Sequence, residues 1–235
     1  RFIAAGQAPS TAEAPFKDIG LGVRDAIESI QTVTGRNFLD NDRRLIVPSQ
    51  PDGSGVDSFA ATISAGPAIR TAIVGLLSDV SLESARRLVE TTYSRIVERL
   101  GLTDHRRAEE QIDALLRARP DLIVLTGGTD GGASRSIQKM LDVVGLVCYL
   151  MPPEKRPAVL FAGNSGLTED VKTLMADLTP SLHFSPNVRP SLETEDLNPA
   201  MNELAHMIAA IRKGQVRGVE ELESWANGNL LPTSY

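Results

Sequence analysis

The segment best suited to chemistry is Thr126-Gly127-Gly128-Thr129-Asp130-Gly131-Gly132, which joins an apolar run, Asp121 to Thr126, to the helical pattern that opens near Ser134. Clustered glycines let successive backbone N–H groups converge on an anion, and the helix start that follows adds partial positive charge. Asp130 is the only carboxylate of the loop. Such a loop is suited to a phosphate, a carboxylate or a hydrated Mg²⁺. The same residues also describe a tight strand-to-helix turn, whose glycines take positive φ while Asp130 or Ser134 caps the helix. The spacing is neither that of a Walker loop, which needs Gly-Lys-Ser/Thr, nor Gly-x-Gly-x-x-Gly.

Two further loops end apolar runs in the same manner, Ala162-Gly163-Asn164-Ser165-Gly166 and Ser185-Pro186-Asn187-Val188-Arg189-Pro190. If the strands are parallel, all three loops share one sheet edge, where α/β proteins bind ligands. Asn164 and Asn187 then offer amide donors and acceptors near Asp130, with Arg189 as a fixed cation. The competing role for both asparagines is that of left-handed turn residues. The candidate ligand-binding set is therefore Gly127, Gly128, Thr129, Asp130, Gly131, Gly132, Asn164, Asn187 and Arg189. No catalytic or metal-binding residue is expected. Ser64, in the small-residue corner Ser64-Ala65-Gly66-Pro67, has no nucleophile elbow around it, and His105, His183 and His206 lack metal-ligand spacing. Asp18-Ile19-Gly20 leads into a helical pattern, so Asp18 is expected to be an N-cap.

The elements that must position these loops alternate. Apolar runs at Thr71–Leu77, Asp121–Thr126, Ala158–Ala162 and, more weakly, Leu182–Ser185 are separated by helical patterns at 81–100, 104–118, 134–147 and 168–178, and a further helix follows at 199–213. This alternation predicts an α/β fold with a parallel sheet and helices on both faces. Ser81, Thr168 and Asn198 are N-cap types, Pro199 suits a first helical position, and Gly35 and Gly214 suit helix ends. Before residue 69 the chain is richer in Pro and Gly. It carries expected strands at Phe2–Ala5 and Phe59–Ser64, a helix at Ile19–Val33 and a short hairpin through Leu45-Ile46-Val47. A last short helix is expected at Val219–Ala226. The expected division is 1–68, 69–216 for the parallel subdomain, and 217–235 as a return segment.

With 235 residues the chain can bury a core without staples. Cys148 is the one cysteine, which excludes an internal disulfide or a cysteine zinc site and suits a reducing, cytoplasmic setting. Lys plus Arg number 24 against 30 Asp plus Glu, and no basic run exceeds two residues, which argues against nucleic acid as the main partner. No apolar stretch approaches the roughly 20 residues of a membrane span. The opening at Arg1 instead of Met reads as an excised or processed piece of a longer protein.

The run Pro120 to Gly132 resembles a signature of the MutL family associated with glutamate mutase. Ala162-Gly163-Asn164, Asn187-Val188-Arg189-Pro190, Ala210-Ile211-Arg212-Lys213-Gly214 and Gly228-Asn229-Leu230-Leu231-Pro232-Thr233 follow in that family's order. Upstream, Thr62-Ile63-Ser64-Ala65-Gly66 and Val74-Gly75-Leu76-Leu77 also fit, so the similarity covers most of 59–233 and, more loosely, 1–56. The resemblance implies part of an actin-like, ribonuclease H-like ATPase domain and an accessory role beside an adenosylcobalamin-dependent mutase, similar to a reactivating chaperone. It implies ATP and Mg²⁺ as cofactors of the longer protein and none for this stretch, because both phosphate loops of the family are missing from residues 1–235. Ala133 stands where the family has Asn after the glycine-rich run, and Arg189 where it has Met. No Asp-x-His-x-x-Gly motif for cobalamin occurs.

Overall fold

A computed structural model describes residues 3–63, 66–132, 134–227 and 230–232. The chain forms two compact units, one of residues 1–67 with 209–233 and one built on 68–208.

The larger unit is α/β. Its sheet contains β2 (Ile69–Val74), β3 (Ser94–Leu100), β4 (Leu122–Leu125), β5 (Ala158–Phe161) and β6 (Leu182–Phe184), in the order β3-β2-β4-β5-β6. Every neighbouring pair is parallel. The central strands are apolar on both faces because both faces are covered, as parallel sheets require. On one face Ala72, Val74, Ile123, Leu125, Val159 and Phe161 pack with residues of α3 (Ala108–Ala118), α4 (Ser134–Leu150) and α5 (Thr168–Met175), among them Leu115, Leu141, Val144 and Val171. Their alternates Ile69, Ile73, Leu122, Val124 and Leu160 are equally buried. α6 (Asn198–Gln215) is tied to the second face by Glu203 Oε2, 3.1 Å from Nδ1 of His183. Phe161 and Phe184 meet edge to face at 6.2 Å on neighbouring strands.

The helix expected over 81–100 is instead α2 (Ser81–Glu90) followed by β3. The Thr91 and Thr92 hydroxyls donate to Leu88 O and Val89 O at 2.7 and 2.8 Å and close the helix without Gly or Pro. The chain then pairs with β2, with a register shift between Thr71 and Ala72. Other boundaries also move. α3 starts at Ala108, not Asp104, because Glu110 Oε2 accepts from Arg107 N at 2.8 Å while Asp104 binds Arg106. Gly214 lies inside α6, and the N-cap of α2 is Val80, not Ser81.

The smaller unit holds α1 (Ile19–Thr34), α7 (Val219–Trp225) and the parallel pair β1 (Ala61–Ile63) with β7 (Leu230–Pro232). Asp18 caps α1 by accepting from Gly20 N at 2.9 Å, and Gly35 ends it at φ 68°. Its core gathers Ile19, Ile27, Val219, Leu222 and Trp225, with Phe59 meeting Trp225 edge to face at 5.9 Å. Arg24 and Glu221 form an ion pair between α1 and α7. Ile3, Ala4 and Ala5 are not in a strand, and the short hairpin is reduced to an antiparallel bridge of Leu45 with Leu39, flanked by the bonds Asp40 N to Arg44 O and Ile46 N to Phe38 O, both at 2.9 Å. Phe2, Ser64, Ala65, Gly228, Asn229 and Thr233 lie outside the described residues.

Candidate functional site

The strand order reverses between β2 and β4, with β3 to one side and β5 and β6 to the other. Crevices outside the carboxyl ends of strands at such a reversal are the usual ligand sites of open α/β sheets. Residues 126–132 leave β4 at that point.

The loop is built on positive-φ glycines, Gly127 at 119°, Gly128 at 70° and Gly131 at 79°. At Gly128 the positive φ favours glycine, and a Cβ there would also displace the Cδ1 end of Ile137, 2.6 Å away. Gly163, at the end of β5, allows the two loops to touch, since a Cβ on it would lie 2.8 Å from Gly127 O. Thr126 is buried, and its hydroxyl donates to Ser81 O at 2.9 Å. The Ser81 hydroxyl in turn accepts from Leu76 N and Leu77 N at 2.8 and 3.0 Å, which fixes the start of α2 beside the loop.

Asp130, Asn164 and Asn187 come together as their equivalent strand ends require. Asn164 is 1% exposed. Its Oδ1 accepts from Gly131 N at 3.2 Å and Gly166 N at 3.0 Å, and its Nδ2 donates to Gly132 O at 2.6 Å. Asn187 Nδ2 donates to Gly128 O at 2.9 Å and to Asp130 Oδ1 at 3.0 Å, while its Oδ1 accepts from Arg189 N at 2.9 Å. Asp130 Oδ1 also accepts from Ser165 N at 3.0 Å, and Asp130 N donates to Pro190 O at 3.1 Å. The Ser165 N–H, supported by the Asn187 amide and the Ser165 hydroxyl and opposed by burial, holds the Asp130 carboxyl below its usual range.

Arg189 is aimed away from this clasp. Its Nε donates to Ser84 Oγ at 2.9 Å, Nη1 to Leu192 O at 3.1 Å, and Nη2 lies 3.3 Å from Glu195 Oε1. Glu195 accepts from Ser84 Oγ at 2.5 Å and pairs with Arg87 at 2.8 Å. Burial pushes the Glu195 carboxyl up, but the Ser84 hydroxyl, Arg189 and Arg87 outweigh it and hold the group below its ordinary value. The segment 186–197 thus ties the glycine-rich loop, through Pro190 O, to α2, through Ser84 and Arg87. Sequence reading missed Ser84 and Glu195, which are 111 residues apart and carry no local motif.

Three amides, those of Gly127, Gly128 and Thr129, meet no acceptor among the described residues. The edge can therefore present N–H donors. Asp130 Oδ1 and the amides of Asn164 and Asn187 are engaged within the protein, and among the described residues no group of three or more His, Cys, Asp or Glu is arranged for a metal ion. No helix among the described residues is long and apolar enough to cross a membrane.

The protein called Protein MutL from Clostridium tetanomorphum is 26% identical over 176 residues, which cover 74% of this chain and 35% of that relative. The chain therefore matches well under two thirds of that relative's length. A family model described as MutL protein matches residues 1–235. Over all of these residues the chain belongs to the MutL protein family.

Proposed function

We propose that this chain is a non-catalytic part of a longer accessory protein that serves an adenosylcobalamin-dependent mutase, in the manner of a reactivating chaperone, and that it works in the cytoplasm. In this reading the parallel-sheet unit recognises the partner or couples domain closure to nucleotide. ATP and Mg²⁺ belong to other parts of the longer, actin-like protein. The observation that carries the reading is the closure of the site on itself. Asn187 bonds to Asp130, and all three side chains bond to loop backbone, which leaves a closed clasp in place of a reacting group. Family membership supports the link to a mutase system.

The test is Asp130→Asn in the intact protein, assayed for folding, ATP hydrolysis and rescue of inactivated glutamate mutase. Asparagine keeps the Oδ1 acceptor, so the fold should survive while rescue falls. Unchanged hydrolysis and rescue would remove the role assigned to Asp130.

A second reading is favoured by the unpaired amides of Gly127, Gly128 and Thr129, which suit a small anion. Thermal-shift titration with Mg-ATP, Mg-ADP, phosphate and glutamate separates the two, since a ligand of the folded state raises Tm. A shift with phosphate or glutamate that is kept or enlarged in Asp130→Asn, which removes a repelling charge, supports the anion site; no shift at millimolar ligand supports the accessory surface.

A further inference from the structure

At the amino-terminal end of the sheet, the opposite end of β4 from the glycine-rich loop, Arg70, Asp113, Leu116, Arg117 and Arg119 line an open depression of about 590 Å³. Arg70 is the second residue of β2. Asp113, Leu116 and Arg117 share one face of α3 by their i, i+3, i+4 spacing, and Arg119 is its C-cap. Arg95 is the register partner of Arg70 on β3, so a fourth guanidinium stands on the same face of the sheet.

Helix termini attract opposite charge, and basic residues at the end of α3 have that ordinary use. One arginine already serves it: the Arg70 guanidinium donates to Ala118 O, while Arg70 N donates to Asp121 Oδ2 at 2.9 Å. Arg117 and Arg119 are a surplus. Among the described residues neither has a carboxylate within ion-pair distance, although Asp113 lines the same depression. Arg119 moreover occupies a left-handed position, φ 44°, where its N donates to Leu115 O at 3.0 Å. Glycine or asparagine is the low-strain choice there, so the chain carries a long cationic side chain at a conformational cost. In a protein with a net charge of −6, three guanidinium groups facing one carboxylate are a local reversal of sign.

We propose that this corner binds the phosphate monoester or diphosphate group of a small molecule. The guanidinium groups of Arg70, Arg95, Arg117 and Arg119 less the Asp113 and Asp121 carboxylates leave two positive charges, which matches a phosphate group carrying about −1.5 to −2 at neutral pH. Guanidinium groups meet phosphate oxygens through paired N–H donors, and an open, charged depression suits a ligand held by its phosphate end. The site is separate from the accessory reading above and does not depend on it.

The experiment is calorimetric titration of the intact protein with sodium pyrophosphate and, separately, inorganic phosphate and a polyglutamate peptide. The set of proteins is wild type, Arg117→Gln, Arg119→Gln, Asp113→Asn and Asp130→Asn. Pyrophosphate should bind, each arginine variant should weaken it about tenfold, the worth of one charge-assisted contact, and Asp113→Asn should tighten it. Asp130→Asn should leave it unchanged, which separates this site from the glycine-rich loop. Because both arginines are exposed, the variants should fold, and matching thermal melts verify it. Absence of binding at millimolar pyrophosphate, binding indifferent to both arginine variants, or binding of the acidic peptide alone would each overturn the proposal.

Discussion

Asn164 shows how one side chain holds a loop. It is buried and meets two amides and a carbonyl of neighbouring turns, so Asn164→Ala strands buried backbone groups instead of removing a surface contact. The expected cost is about 2–3 kcal/mol, read as a lower midpoint in urea unfolding at unchanged m-value. Asp130 contributes differently because it is charged and exposed. Its folded pKa is lowered, so its contribution is complete above the unfolded value near pH 4 and is lost as pH falls through the folded value. The stability difference between wild type and Asp130→Asn should therefore be constant from pH 8 to 5 and shrink below about pH 4. A difference that instead persisted unchanged at pH 2 would mean that the carboxylate charge is irrelevant to the clasp. The residue types at 130, 164 and 187 were legible as a set, since each follows an apolar run. That their polar atoms turn inward on the loops, and that Arg189 turns toward Ser84, depends on contacts between residues up to 105 positions apart.

Elements were legible in proportion to burial. β4 and β5, and β2 from Ala72 to Val74, are covered on both faces, which produces unbroken apolar runs that no surface element imitates. β3 is an edge strand with Arg95 and Arg99 exposed, and its Ser-Arg-Ile-Val-Glu-Arg-Leu sequence suits a helical period as well as an alternating one. Only pairing with β2 decides between them. Leu100, fully buried at the end of this strand, belongs to the main core. Leu100→Ala should cost about 2–5 kcal/mol in chemical denaturation, as for other core leucines. A cost under about 0.5 kcal/mol, the range of surface substitutions, would contradict a packed β3.

At the scale of the molecule, each unit carries its own probe. Trp225, the sole tryptophan, is buried in the smaller unit with Phe59, and Cys148, the sole cysteine, is buried in the larger with its thiol pKa pushed up to about 11 by burial. Each unit has a separate core, so denaturation followed by tryptophan fluorescence and by Cys148 labelling should give two distinct midpoints. Coincident transitions would mean that the units unfold as one. The thiol should not react at neutral pH until its unit opens, because the thiolate is the nucleophile. The sequence by itself determined the α/β class, the central strands and the placing of three glycine- and asparagine-bearing loops at one edge, because burial on both faces and positive φ leave local marks. Tertiary structure alone decided that β3 exists, that residues 126–132 leave the sheet where its strand order reverses, that Asn187 closes on Asp130 while Asn164 clasps the loop backbone, and that Arg70, Arg117 and Arg119 border one open depression. Those facts rest on pairings across long stretches of chain, which no local pattern of residues encodes.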